Sequence, residues 1–513
     1  MTEEGSDVVR RERFSGGPAR AFLSSMHDDA TTTDERIFEA DLAVDRAHVV
    51  MLEEQGIVDA ESTGAILDAL GEIEAAGFAA LPEGEDVHAA IETAVIERVG
   101  PEGGRMHTAR SRNDEVAACI RHRLRADLLD AAAATIELRG VLADVAAEHR
   151  STTMPGYTHR QPAQPTTVAH WLCSYGGALA RDTARLRGAY GRTNRSPLGA
   201  AAFAGTPFDI DRERTAGLLG FEGVVENATD AVSARDFLIE AAGAAATAAT
   251  TLSGLATDLI EFAADGYVEI DDDYASTSSI MPQKKNPDSL ELVRARAGDA
   301  SAGLNGLLTT LKGLPRAYNR DLQRATPHVW RTVDATTAAA EVTAGAVSTA
   351  EWNGDALAAA AGEGFGTATG VADLLAAHGT PFRTAHEVVA HAAEAIADRA
   401  SGGDAAPDRA VEGRGEANGD VATSYAALDA AAREVLGGPL AERVPREAVE
   451  AALDPGESVA SRDSRGGPAS EAVREFLTDA EAGIEADADW IEARREGLAA
   501  ATERLDRAVS TYG

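Results

Sequence analysis

Residues 241–257 read AAGAAATAATTLSGLAT, the longest weakly polar run in the chain. Alanine, threonine and glycine make it up, with little leucine, so it is too weakly hydrophobic to read as a membrane span. Alanine is the best helix former, and its small side chain lets neighbouring helices approach closely. The run therefore predicts a helix buried inside a bundle. Outward from it, the apolar periodicity extends this helix over about 233–264. Similar patterns predict long helices over about 112–150, 165–191, 288–313 and 328–350. The average globular helix has about 11–12 residues, so several of this length imply an elongated all-α bundle.

The rest of the chain fits that frame. Thr33-Asp34 reads as a cap for a helix to about Glu54, with Ile37, Ala40, Leu42, Val44 and Ala47 on its apolar positions. Shorter helices are predicted near 60–76 and 86–99. From about 351 the helices shorten, which suggests a boundary near 365. The stretch 401–419 is rich in Gly, Asp and Glu and predicts a flexible insertion. Only 5% of residues are aromatic, against 44% hydrophobic over 513 residues.

Charge excludes some functions. With 47 basic and 84 acidic residues the net charge is −37, which repels nucleic acid and anionic membranes. The acids are spread through periodic apolar segments, so they predict a folded protein with carboxylate-rich faces, as in salt-loving organisms. In molar salt the Debye length falls to about 3 Å, which screens the self-repulsion. Cys119 and Cys173 lie in helical patterns and make no disulfide framework or CxxC metal site. Met1–Arg13 is charged and has no apolar signal core. The expected location is the cytoplasm.

The loops carry the chemistry. They read HTARSRND (107–114), PGYTHRQPAQP (155–165), SPLGAAAFAGTPFDI (196–210) and STSSIMPQKKNPDS (276–289). Lys284, Lys285 and Lys312 are the lysines of the whole chain, and two of them are adjacent. Their loop precedes a helix starting near Asp288, whose N-terminus favours anions. Serine, lysine, asparagine and a helix N-terminus together would make a carboxylate cradle. His159 and His107 sit at loop–helix junctions, where a lone histidine is more often a capping group. His88 reads equally as a polar helix position, and Arg110 and Arg112 as helix-face charges. GEGFGTATG (362–370) has no preceding strand and is rejected as a dinucleotide loop. No P-loop, HExxH site or serine elbow is present.

In the same order, these segments resemble motifs of the argininosuccinate lyase/fumarase superfamily. MPQKKNP (281–287) is similar to the argininosuccinate lyase version of its signature loop. HTARSRND resembles HTGRSRND, GYTHRQ resembles GYTHLQ, and EDVH (85–88) resembles EDIH. LPRAYNRDLQ (314–323) and ESVASRDSRGG (457–467) also match, and the likeness runs from about Arg13 to Arg507.

The resemblance implies a three-domain helical subunit, divided at 1–111, 112–364 and 365–513. It also implies a homotetramer whose active sites are each shared by three subunits. The implied reaction is β-elimination of fumarate from argininosuccinate, releasing arginine as the last step of arginine biosynthesis, with no metal or organic cofactor. By similarity, Ser278 is the general base and His159 the acid–base partner at the leaving nitrogen, oriented by Glu291. Lys284 stabilises the carboxylate charge that develops. Ser25, His88, Asn113, Thr158, Asn286, Tyr318 and Gln323 match substrate-binding positions, and Arg110, Arg112 and Arg235 bind carboxylate or brace the site. Departures are Thr277 and Ala109 for glycines, Arg160 for an apolar residue and Thr326 for a lysine. The alanine at 109 is a change that any right-handed or extended backbone would accept. The alternatives are a sister lyase acting on adenylosuccinate, aspartate or malate, and an inert crystallin-like homologue. The presence of Ser278, His159, Lys284 and Asn286 argues against the second.

Overall fold

The computed structural model describes residues 20–401 and 421–512, with α1 side chains described from Asp34 onward. The order is α1 (Arg20–Glu54), α2 (Ala60–Ala76), α3 (Val87–Val99), α4 (Arg112–Glu148), β1 (Thr153–Thr158), β2 (Gln161–Thr167), α5 (Val168–Thr193), α6 (Arg212–Leu218), α7 (Ala228–Ser233) and α8 (Asp236–Ala264). Then come β3 (Val268–Glu269), β4 (Ser276–Thr277), β5 (Lys285–Asn286), α9 (Asp288–Leu311), α10 (Thr326–Ser348), β6 (Glu351–Trp352), α11 (Gly354–Gly362), α12 (Ala368–Ala377) and α13 (Phe382–Ser401). The chain ends with α14 (Val421–Leu436), α15 (Arg446–Leu453), α16 (Pro455–Ala460) and α17 (Ser470–Val509). No described helix is long and apolar enough to cross a membrane.

The fold is all-α, as the alanine run predicts. Helix α8 packs against α5, α9 and α10, and α4 packs against α5 and α10. Along α8, Ala241, Ala242, Ala244, Ala245, Ala248 and Ala249 are buried. Small side chains are what let so many neighbours reach one helix. Leu252, Leu255 and Leu259 then fill the far half of its contact face, each worth about 1.5–3 kcal/mol of burial. A separate core joins α12, α13, α14 and α15 through Val371, Leu375, Val388 and Leu428. Helix α17 returns to lie along α4 and α5, where Asp487 pairs with Arg139 at 2.5 Å and with Arg187.

Two buried arginines finish helix ends inside the protein. Arg121 of α4 donates to the carbonyls of Arg192 (2.9 Å) and Thr193 (3.2 Å) at the end of α5 and stacks on Phe237. Arg125 donates to Leu219 and Gly220, both at 2.8 Å, beyond α6, and stacks on Phe221. Orphan carbonyls and the negative end of the helix dipole are what a guanidinium suits there.

Three local expectations are corrected. Helix α1 starts at Arg20, not at Asp34. Asp34 does cap a helix, but a different one: its carboxylate accepts the Val87 N–H of α3 at 3.1 Å. Residues 153–167, expected to run from loop into helix, form the antiparallel β1–β2 hairpin, paired Thr158 to Gln161 across its turn. The two turn residues, His159 (φ 55°) and Arg160 (φ 60°), are both left-handed, as a two-residue hairpin turn that matches strand twist requires. Gly156 forms a bulge where a Cβ would lie 2.4 Å from the Gln164 carbonyl. Ala109 lies at φ 64°, so the alanine occupies the conformation a glycine would favour, at about 1–2 kcal/mol. The predicted insertion at 401–419 falls, but for Ser401, outside the described residues.

Candidate active site

The predicted site residues lie in three places. The first is a cavity of about 380 Å³ among α1, α3, α4 and the segment before α10. Its walls include His88, Arg112, Asn113, Arg235, Tyr318 and Gln323, together with the departure Thr326. The second is the β1–β2 turn, where Thr158 and His159 are exposed. The third is the loop between β4 and β5 with the start of α9, which holds Ser278, Lys284, Asn286 and Glu291. Ser25 falls in α1 but outside the described side chains.

The cavity is built from helix starts. Asp86 caps α3 by accepting the Ala89 N–H at 2.9 Å, which sets His88 in the first turn. Ser111 and Asp114 form a reciprocal capping box at the head of α4, placing Arg112 and Asn113 at the cavity. Arg112 pairs with Glu85 at 3.3 Å and Asp86 at 3.2 Å, and Arg320 pairs with Glu85. Asn113 donates to the Ala202 carbonyl at 3.0 Å.

Arg235 differs from these. Its Nη1 donates to the Val232 and Ala234 carbonyls at 3.0 and 2.8 Å, while Nε and Nη2 are buried with no partner among the described residues. Burial pulls its guanidinium down to about 10. A buried cation with two free donors on a cavity wall suits an incoming carboxylate.

Arg110 does not line the cavity. It is buried behind the wall, paired to Asp45 at 2.5 Å and Glu115 at 3.0 Å, contacts that serve bracing. Burial pushes Asp45 up to about 6 against the pull of Arg110, and raises Glu115 as well. His48 donates to the Thr108 carbonyl at 2.8 Å and is pushed down to about 3 by burial. It pins the turn that contains Ala109.

Asp41, His88 and Cys119 bring possible metal-ligand atoms within 4.8 Å of one another. These three side chains already contact one another. Asp41 accepts from the Cys119 thiol at 3.3 Å and pairs with His88 Nδ1 at 2.8 Å. Burial pushes the Cys119 thiol well above its ordinary range; burial also works against a charged His88, but Asp41, with Glu115 and Asp86, pushes it up to about 10.

The Ser278 loop is an exposed hairpin end. The Ser278 N–H donates to the Lys284 carbonyl at 3.1 Å, and Ser278 Oγ accepts the Ile280 (3.4 Å) and Met281 (3.1 Å) N–H groups. Lys284 Nζ bonds Asn286 Oδ1. Lys285 anchors the base of the loop to Glu269 at 3.1 Å and Asp272 at 2.7 Å. Pro287 supplies no side-chain cap to α9, consistent with an N-terminus open to an anion. Ile280 and Met281 expose their side chains at the tip, Ile280 by 83%.

Asp34, Glu85, Asp86, Glu92 and Arg320 also line the cavity, and sequence reasoning did not assign them a site role. The EDVH segment, which holds two of them, was the available signal. Among the described residues no hydrogen bond or ion pair joins His159 to Glu291. Glu291 lies 3.8 Å from Arg294, and Arg160 pairs with Glu261 of α8.

A lyase family model matches residues 23–301, and an argininosuccinate lyase C-terminal model matches residues 365–460. The argininosuccinate lyase of Natronomonas pharaonis is 66% identical over 99% of this chain and 98% of its own length. That of Haloarcula marismortui is 60% identical over 98% and 96%. The chain belongs to the argininosuccinate lyase family. Its predicted acidic, salt-adapted surface agrees with these relatives, which come from halophilic archaea. Among solved structures, this lyase resembles an EDDS lyase in complex with formate, with TM-score 0.84 and 34% identity over 97% of this chain and 96% of that one. A variant of that enzyme with bound fumarate matches with TM-score 0.82 and the same identity and coverage. A fumarate lyase from Mesorhizobium sp. BNC1, 18% identical with TM-score 0.67 over 89% and 97%, shares the fold.

Proposed function

We propose that this lyase cleaves argininosuccinate to arginine and fumarate by β-elimination, in active sites completed by three subunits of a homotetramer in the cytoplasm. The observation that carries the reading is the division of the motif residues. The cavity holds binding groups without Ser278 or His159, and each of those sits on an exposed turn away from it. A site needing all three sets fits assembly from neighbouring copies. The family membership and the fumarate held by the related EDDS lyase variant support the chemistry.

In this reading Arg235 and the cavity donors hold carboxylates of the substrate. Ser278 removes a proton from the carbon next to the one that bears the departing nitrogen. The C–H electron pair first becomes extra charge on the adjacent carboxylate, which Lys284, Asn286 and Thr158 stabilise. That pair then forms the carbon–carbon double bond of fumarate. The C–N pair leaves with the guanidine nitrogen, which takes a proton from His159. A serine is a poor base, and the loop offers a remedy: the Ile280 and Met281 N–H groups already point at Ser278 Oγ and stabilise its anion. Closure of this loop, with Ile280 and Met281 leading, would exclude water from the intermediate.

The test is fumarate release from argininosuccinate in molar potassium chloride, for wild type and Ser278→Ala, with oligomeric state measured by light scattering. Wild-type release, a tetramer, and a loss of about 10²–10⁴ in the variant are expected. Release from adenylosuccinate or aspartate instead would overturn the substrate, and a fully active monomer would overturn the shared site.

A further inference from the structure

Asp41 touches three walls of the cavity without facing it. It lies on α1 with no exposed side-chain surface. One carboxylate oxygen meets His88 Nδ1 of α3 at 2.8 Å, and the other accepts the Cys119 thiol of α4 at 3.3 Å. His88 is itself 4% exposed at its side chain and lines the cavity. Because Nδ1 is taken by Asp41, Nε2 is the ring nitrogen left for a ligand, and among the described residues no group bonds it.

Beside Arg235, a second cation on the wall would offset the acids there. Asp34, Glu85, Asp86 and Glu92 are on its walls, while argininosuccinate carries three carboxylates. Arg112 and Arg320 are committed to Glu85 and Asp86. A neutral imidazole would give a hydrogen bond about half as strong as a charged one.

We propose that Asp41 is a positioning residue that holds His88 as an imidazolium, with Nε2–H presented to a carboxylate of the bound substrate. The proposal rests on the argininosuccinate reading above. The surroundings act in the same sense. Asp34 and Asp45 on α1, Asp86 at the cap of α3, and Glu115 on α4 favour the charged ring, while buried Arg110 opposes it. Arg112, Arg235, Arg320 and Tyr318 line the same cavity. Burial alone would discharge His88, yet Asp41, helped by Glu115 and Asp86, pushes it up to about 10. His107 makes a looser version of the same pair, with Nδ1 3.3 Å from Glu92 and a third of its side chain exposed. His88 is therefore the histidine whose charge the fold enforces.

The experiment compares KM and kcat for argininosuccinate across the interval from about 6.5 to 10, in Asp41→Asn, His88→Gln and the double variant. Wild type should hold a flat KM until the upper end. In Asp41→Asn, KM should rise tenfold or more as pH increases from the lower end, with kcat there close to wild type. His88→Gln should raise KM at every pH with no such slope, and the double variant should match it. A folded Asp41→Asn with a wild-type KM profile, or a double variant whose losses simply add, overturns the proposal. If Asp41→Asn does not fold, an unchanged KM in His88→Gln overturns it alone. A wild type that releases no fumarate from argininosuccinate fails the functional reading instead, so the two failures are distinct.

Discussion

Asp114 Oδ2 accepts the Gly199 N–H at 2.8 Å, tying the head of α4 to a loop eighty-five residues away in sequence. The same oxygen takes the Ala201 N–H at 2.9 Å, while Oδ1 takes the Ser111 N–H at 3.0 Å. One buried carboxylate thus caps a helix and fixes the 196–210 loop, whose Ala202 carbonyl receives Asn113. Burial raises its pKa, and the three N–H groups work against that. Asp114→Ala leaves three buried donors unpaired, at about 1–3 kcal/mol each before water repairs some of them. Urea unfolding in constant molar salt should show a loss of about 3 kcal/mol or more, and KM should rise as Asn113 loosens.

Arg235 should matter for binding more than for chemistry. Its free Nε and Nη2 suit a charged hydrogen bond worth about 1.5–3 kcal/mol. Arg235→Met is expected to raise KM about tenfold to a hundredfold with a smaller change in kcat. An unchanged KM would mean the guanidinium only braces α8.

The β1–β2 hairpin carries His159 on a turn that Gly156 makes possible. Gly156→Ala puts a methyl 2.4 Å from the Gln164 carbonyl, an overpacking cost of about 1–3 kcal/mol. The strands must part, and the His159 turn moves with them. Steady-state assays should find kcat reduced tenfold or more while fumarate binding is retained. A normal kcat would sever His159 from the reaction.

Stability should depend on pH through His88. Its folded value of about 10 exceeds the ordinary 6.5, so its contribution is fully present below 6.5 and is lost as pH rises through 10. The buried Cys119 thiol, raised in the fold, acts with the same sign at the alkaline end. Urea midpoints should therefore fall between these limits, and Asp41→Asn should flatten the fall. Equal slopes in both proteins would refute the pairing.

Much was legible along the chain. The small-residue run at 241–257 announced a helix surrounded by others, because only small side chains admit several close neighbours. The starts of α2, α4 and α9 followed from periodicity. The hairpin at 153–167 was not legible: prolines and polar residues hid its pairing, and its turn uses two non-glycine residues at positive φ. The cap-like Thr33-Asp34 misled because a capping side chain does not record which helix it caps.

The site divides in the same way. Residue types in the motifs determined, without any structure, which groups could take a proton or a carboxylate. Tertiary structure decided that Arg235 lies on the cavity wall while Arg110 lies behind it against Asp45 and Glu115, and that Asp41 stands behind His88. Local sequence encodes backbone propensity and the identity of each side chain. Burial and charge pairing depend on which distant segments share a low-dielectric interior, and that is settled only when the helices pack.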